Sequence, residues 1–64
     1  MPLPFRILKV QNDGHLHFIE ALPTLDNAKA RVKLLGELWA GDYVIDDEGT
    51  GQRVFISTGD ESKN

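Results

Sequence analysis

Apolar side chains fall into four short clusters and one longer run of helical spacing, with the run between the second and third clusters. The first two clusters, Phe5–Val10 and residues His15 to Leu22, are rich in aliphatic, aromatic and β-branched residues. Between them lies Asn12-Asp13-Gly14, a turn signal, so the segment predicts a β-hairpin. Two registers are open. A two-residue Asp13-Gly14 loop would set Lys9 opposite Phe18 and Ile7 opposite Glu20. A three-residue loop, with Gly14 in the left-handed position of a bulge, instead pairs Val10 with Leu16, Leu8 with Phe18 and Arg6 with Glu20. Its other face pairs Ile7 with Ile19 and Phe5 with Ala21. The second register matches apolar with apolar and charge with charge. It is the one expected, because a one-residue slip changes every cross-strand neighbour.

The long run predicts a helix from Thr24 to about Ala40. Thr24 can cap the first amides, Asp26 sits near the positive end of the dipole, and Gly41 follows the last turn. At 100° per residue Leu25, Ala28, Val32, Leu35 and Trp39 share one sector and should face a sheet, with Trp39 as a core anchor at the helix end. Asp26, Lys29, Lys33 and Glu37 gather elsewhere. Leu34 and Leu38 lie outside the core sector, so the helix is apolar over more surface than one sheet contact needs. Gly36 inside the helix costs roughly 1 kcal/mol relative to alanine, which points to a close approach to the sheet.

The last two clusters, Asp42–Asp47 and residues Gln52 to Thr58, enclose a Gly49-Thr50-Gly51 turn and predict a second hairpin. A four-residue loop from Glu48 to Gly51 sets Asp46 opposite Arg53, Val44 opposite Phe55, Tyr43 opposite Ile56 and Ile45 opposite Val54. The Tyr43, Ile45, Val54, Ile56 face is wholly apolar and should lie under the helix; the other face is mixed. The whole is expected to be one α+β domain over residues 1–58, of order β-β-α-β-β. Two antiparallel hairpins form a four-stranded sheet with one helix packed on one face, and a polar, disordered tail follows over 59–64. The order of the strands within the sheet does not follow from the pattern.

This pattern leaves one face of the sheet without a cover. Whichever face of the first hairpin enters the core, the reverse carries either Phe5, Ile7, Ile19 and Ala21 or Leu8, Val10, Leu16 and Phe18, joined by Val44 and Phe55. Each large apolar side chain left in water forgoes roughly 1.5–3 kcal/mol that a contact could supply. Large exposed apolar patches mark interaction sites, so the expected association surface is drawn from Phe5, Ile7, Ile19, Leu34, Leu38, Val44 and Phe55. A homodimer or a protein partner would cover it.

Composition narrows the rest. At 64 residues the chain is one domain, of a size at which oligomerisation commonly supports a small core. The absence of cysteine excludes disulfides and thiolate metal sites and fits a reducing, cytoplasmic setting. A net charge of −3 and a pI near 5.1 argue against a nucleic-acid binder that tracks phosphates with clustered Lys and Arg. Met1-Pro2-Leu3-Pro4 leads into a strand pattern, unlike a signal peptide, and no apolar run reaches membrane-spanning length.

Candidate chemistry is thin. His15 and His17 have a spacing that suits a metal, but no third ligand is near and Lys9 is expected opposite His17. Asp42, Asp46, Asp47 and Glu48 lack the alternating ligands, central glycine and distant glutamate of a calcium loop. Gly49-Thr50-Gly51 lacks the lysine and following helix of a phosphate loop. Ser57, His17 and Glu20 carry no local signature of nucleophilic catalysis. Phe5, Phe18 and Phe55 could stack bases on an open sheet, but the acidic balance provides no electrostatic funnel. No enzyme activity, metal or cofactor is expected.

The succession Phe5-Arg6-Ile7-Leu8, Gly14, Glu20-Ala21, Thr24-Leu25, Ala28-Lys29, Arg31-Val32 and Gly41-Asp42-Tyr43-Val44-Ile45 resembles short bacterial β-β-α-β-β proteins of a domain of unknown function. Those motifs are structural, and the resemblance implies a fold but no activity. The segment from Thr24 to Leu35 also resembles the helix of antitoxins with a partial RNase-H-like fold, which place three strands before the helix where two fit here. The leading expectation is a small intracellular interaction module that self-associates. An antitoxin-like regulator holding a protein or nucleic-acid factor is the first alternative, and a small-ligand binder or weak enzyme the second.

Overall fold

A computed structural model describes residues 3–58; the tail expected over 59–64 lies outside the described residues. The element order is β1 (Phe5–Val10), β2 (Leu16–Leu22), α1 (Leu25–Leu38), β3 (Asp42–Asp47) and β4 (Arg53–Ser57). One antiparallel sheet runs β2-β1-β3-β4, so the two hairpins are joined through β1 and β3. The chain therefore leaves edge strand β2, passes through the helix and re-enters the sheet beyond β1. This is the α+β arrangement expected from the pattern.

The turn of the first hairpin forms as its residues dictate. Gln11 N–H donates to the His15 carbonyl (2.7 Å), Gly14 N–H donates to the Gln11 carbonyl (2.9 Å), and Gly14 has φ +89°, a region glycine enters without steric cost. Asp13 accepts the His15 backbone N–H (3.0 Å), which with the His15 ring lowers the Asp13 pKa from its ordinary value. Near the turn the register is the expected one, Val10 with Leu16 and Leu8 with Phe18. Beyond it the expectation fails. A bulge sets Ile19 and Glu20 together against Ile7, and the pairs become Ile7 with Glu20, Arg6 with Ala21 and Phe5 with Leu22. The extra residue reverses which face each later side chain occupies. Ile19 and Leu22 thereby both reach the core, and Glu20 pairs with Arg31 on the helix rather than with Arg6.

The second hairpin has the expected register throughout: Tyr43 with Ile56, Val44 with Phe55, Ile45 with Val54 and Asp46 with Arg53. Asp47 organises its turn by accepting Gly49 N–H (2.9 Å) and the Thr50 hydroxyl (2.9 Å), while Gly51 has φ +78°.

The Thr24 hydroxyl caps α1 by accepting Asn27 N–H (3.1 Å). Ile7, Ala28, Val32, Tyr43 and Ile45 form the buried core, with Phe5, Ile19, Leu22, Leu25, Leu35, Val54 and Ile56 packed around it. The Tyr43 hydroxyl donates to the carbonyl of Trp39, beyond the last helical turn, and, weakly, to that of Leu35 (3.4 Å), which already accepts Trp39 N–H (2.6 Å). Gly36 is buried against Thr58, just after β4: a Cβ there would fall 2.5–2.7 Å from three Thr58 side-chain atoms.

Two expectations about the helix are corrected. It stops at Leu38, because Trp39 leaves helical geometry (φ −148°, ψ 82°) as the C-cap. Trp39 is also not a core anchor: it is 48% exposed and lies over Lys9, whose Nζ sits 4.9 Å from the Trp39 ring and 5.5 Å from the Tyr43 ring. Lys9 is buried and has no carboxylate within ion-pair distance among the described residues, so these ring faces provide its electrostatic support. No helix among the described residues is long and apolar enough to cross a membrane.

Burial raises the pKa of the Tyr43 phenol above its ordinary value, so the folded state holds this proton more tightly than the unfolded state. The stability linked to it is complete below about pH 10 and is lost as the pH rises through the folded value. Alkaline destabilisation above about pH 10 is expected to be weaker in Tyr43→Phe. Tyr43 is the single tyrosine, so phenolate absorbance follows it alone; titration in the folded protein at the ordinary phenol value would overturn the prediction.

Candidate interaction surface

Strand alternation and the cross-strand pairs define the face that the helix leaves open. Across its middle runs one row drawn from all four strands, Phe18–Leu8–Val44–Phe55, every member apolar. Val44 is only 1% exposed, screened among its neighbours, whereas the terminal rings stand in solvent, Phe18 at 52% and Phe55 at 73%. A second row, Ala21–Arg6–Asp46–Arg53, lies on one side. A third, on the other side, holds Leu16, Val10, Asp42 and Ser57.

The two arginines of the charged row are balanced within the subunit by Asp46 and by Glu48, which lies just beyond the row. Arg6 Nη2 donates to Asp46 Oδ2 (2.7 Å), Arg6 Nη1 lies 3.3 Å from Glu48, and Arg53 Nε lies 3.6 Å from Asp46 Oδ1. The hydrogen bond that Arg6 donates to Asp46, helped by the Glu48 and Asp46 charges, raises the Arg6 pKa above its ordinary value. Arg6 Nε is buried without an acceptor among the described residues.

Only part of the surface expected from sequence is available. Ile7 is fully buried beneath the helix, and Phe5 and Ile19 pack against the same core. The face left open is the other set, Leu8, Val10, Leu16 and Phe18, because the helix settles on the side that carries Ile7, Ile45 and Tyr43. Val44 and Phe55 do lie on the open face. Leu34 (53%) and Leu38 (87%) are exposed on the helix, away from the sheet core. Phe18, the exposed open-face ring absent from that expected set, is readable from sequence only as one of two alternatives.

The remaining sequence features are dispersed. The His15 ring binds Asp13 (2.8 Å), while the His17 ring meets Trp39 edge-on with centroids 6.4 Å apart. Asp46, Asp47 and Glu48 are engaged by arginines or by their own turn, and no group of three or more potential metal ligands occurs among the described residues. Ser57 is on edge strand β4, whereas His17 and Glu20 are on the opposite edge, β2, so no triad assembles from them. An open groove between α1 and β4, lined by Lys29, Lys33, Gly36 and Ile56 among others, includes none of the histidines and none of the acidic turn residues.

What the arrangement offers chemically is an apolar stripe with two exposed aromatic rings and a charged border. A scan against protein-family models finds no match, and searches of curated proteins and of solved structures find none either.

Proposed function

We propose that this protein is a small intracellular interaction module whose first partner is a second copy of itself, docked on the open face of the sheet. The observation that carries this reading is the row Phe18–Leu8–Val44–Phe55, apolar from edge to edge and ending in two exposed rings, on a sheet whose other face already holds helix α1. Aromatic residues at the centre of a patch contribute disproportionately to binding. On this reading the protein binds and does not catalyse, and it needs no cofactor.

The test is mass in solution over a dilution series. The expected result is a species of twice 7.2 kDa at high concentration that gives way to 7.2 kDa on dilution. Each exposed ring stands to add on the order of 1 kcal/mol on contact and occurs twice in a two-fold dimer, so Phe18→Lys or Phe55→Lys should weaken association at least about tenfold. Leu38→Lys, on the helix, should leave it unchanged. A 7.2 kDa species at every concentration would remove the reading. Loss of the dimer in Leu38→Lys alone would move the contact to the helix and favour an exposed Leu34–Leu38 strip as the docking element, as in helix-in-groove recognition.

A further inference from the structure

We infer that the two copies meet face to face about a two-fold axis parallel to the strands, so that Phe18 of each subunit packs on Phe55 of the partner subunit and Arg6 faces Asp46 of the partner subunit. The inference rests on the self-association proposed above and specifies its geometry.

A two-fold axis between stacked sheets can run along the strands or across them, and the side chains of the open face respond differently to each. With the axis across the strands, each residue of the apolar row meets its own copy, but the flanking rows are exchanged. Arg6 then faces Val10, and Asp46 faces Asp42, a like-charge contact that costs specificity and affinity. With the axis along the strands, β2 lies over β4 and β1 over β3 of the partner subunit. The apolar row then meets itself in reverse, Phe18 on Phe55 and Leu8 on Val44. The charged row does the same: Arg6 meets Asp46 and Asp46 meets Arg6, extending the pair that each subunit already makes within itself. Charge complementarity therefore selects the strand-parallel axis.

The chain has no cysteine, so single cysteines report the geometry cleanly. Phe18→Cys and Phe55→Cys are both at exposed positions. Each protein is treated alone, and then as an equimolar mixture, with a bis-maleimide whose reach matches the ~10 Å spacing of packed sheets. The expected result is a cross-linked dimer in the mixture, joining position 18 to position 55, with at least several-fold less from either variant alone. Circular dichroism of each variant confirms that it is folded before cross-linking. Cross-linking of either variant alone as readily as the mixture places the axis across the strands and overturns the inference while self-association stands. A folded dimer, by mass, that cross-links in none of the three samples also overturns it. A chain that is monomeric by mass at all concentrations overturns the inference together with the proposed function.

Discussion

Replacing Tyr43 with alanine is expected to remove much of the stability of the fold and to shift its unfolding midpoint far below that of the parent. Tyr43 is the largest fully buried side chain of the core, sits between the helix and the β3–β1 pair, and closes the helix end through its hydroxyl. Truncating a buried aromatic residue costs about 3–5 kcal/mol, cavity included. A domain of this length has about 3–10 kcal/mol in total on the per-residue scale, so one substitution removes much of the margin. Tyr43→Phe keeps the ring and forgoes only the hydroxyl bonds, a loss of about 0.5–1.5 kcal/mol. Urea unfolding followed by the fluorescence of Trp39, the single tryptophan, distinguishes the two if protein concentration is held constant. A Tyr43→Ala protein with an unfolding midpoint near that of the parent would show that the core does not depend on this ring.

Gly36→Ala should destabilise the fold by about 1–3 kcal/mol, although alanine is the better helix former by about 1 kcal/mol. Steric conflict decides the sign. The added Cβ would lie 2.5 Å from the Thr58 Cβ, an atom that no rotamer change can withdraw, so backbone must shift. Thr58 is itself held: its hydroxyl accepts Gly41 N–H (3.0 Å) and donates to the Gly41 carbonyl (2.8 Å), while its backbone N–H donates to that same carbonyl (2.9 Å). Adding Thr58→Gly should therefore recover part of the loss, giving a favourable coupling in a double-mutant cycle. Gly36→Ala proving more stable than the parent in thermal unfolding would refute the close-packing account.

Much of the fold was legible because its signals are local. The Asn12-Asp13-Gly14 and Gly49-Thr50-Gly51 turns, the Thr24 cap and the alternation in β3 and β4 each depend on residues within a few positions, and the structure matches them. The register beyond Ile19 was not legible. A bulge there is favoured by what it delivers in three dimensions, namely Ile19 and Leu22 to the core and Glu20 to Arg31, and none of those partners is a sequence neighbour. Trp39 misled for a similar reason: helical spacing places it on the core side, but the helix ends one residue earlier and its ring is taken by Lys9. The interaction surface was half legible. Sequence showed that an apolar face must be left over and could not say which one, since both faces of the first hairpin are apolar.

By itself the amino-acid sequence determined the five elements and their order, the turns, the surplus of apolar surface, and a composition with no cysteine and a modest acidic charge. Only the tertiary structure decided the β2-β1-β3-β4 order, the bulge and the side on which the helix lies, and with them the row Phe18–Leu8–Val44–Phe55 as the open face. The physical reason is range. Turns, caps and periodicity are properties of a few consecutive residues, whereas strand order and choice of face come from comparing whole packings, in which Arg6 meets Asp46 across forty positions of chain.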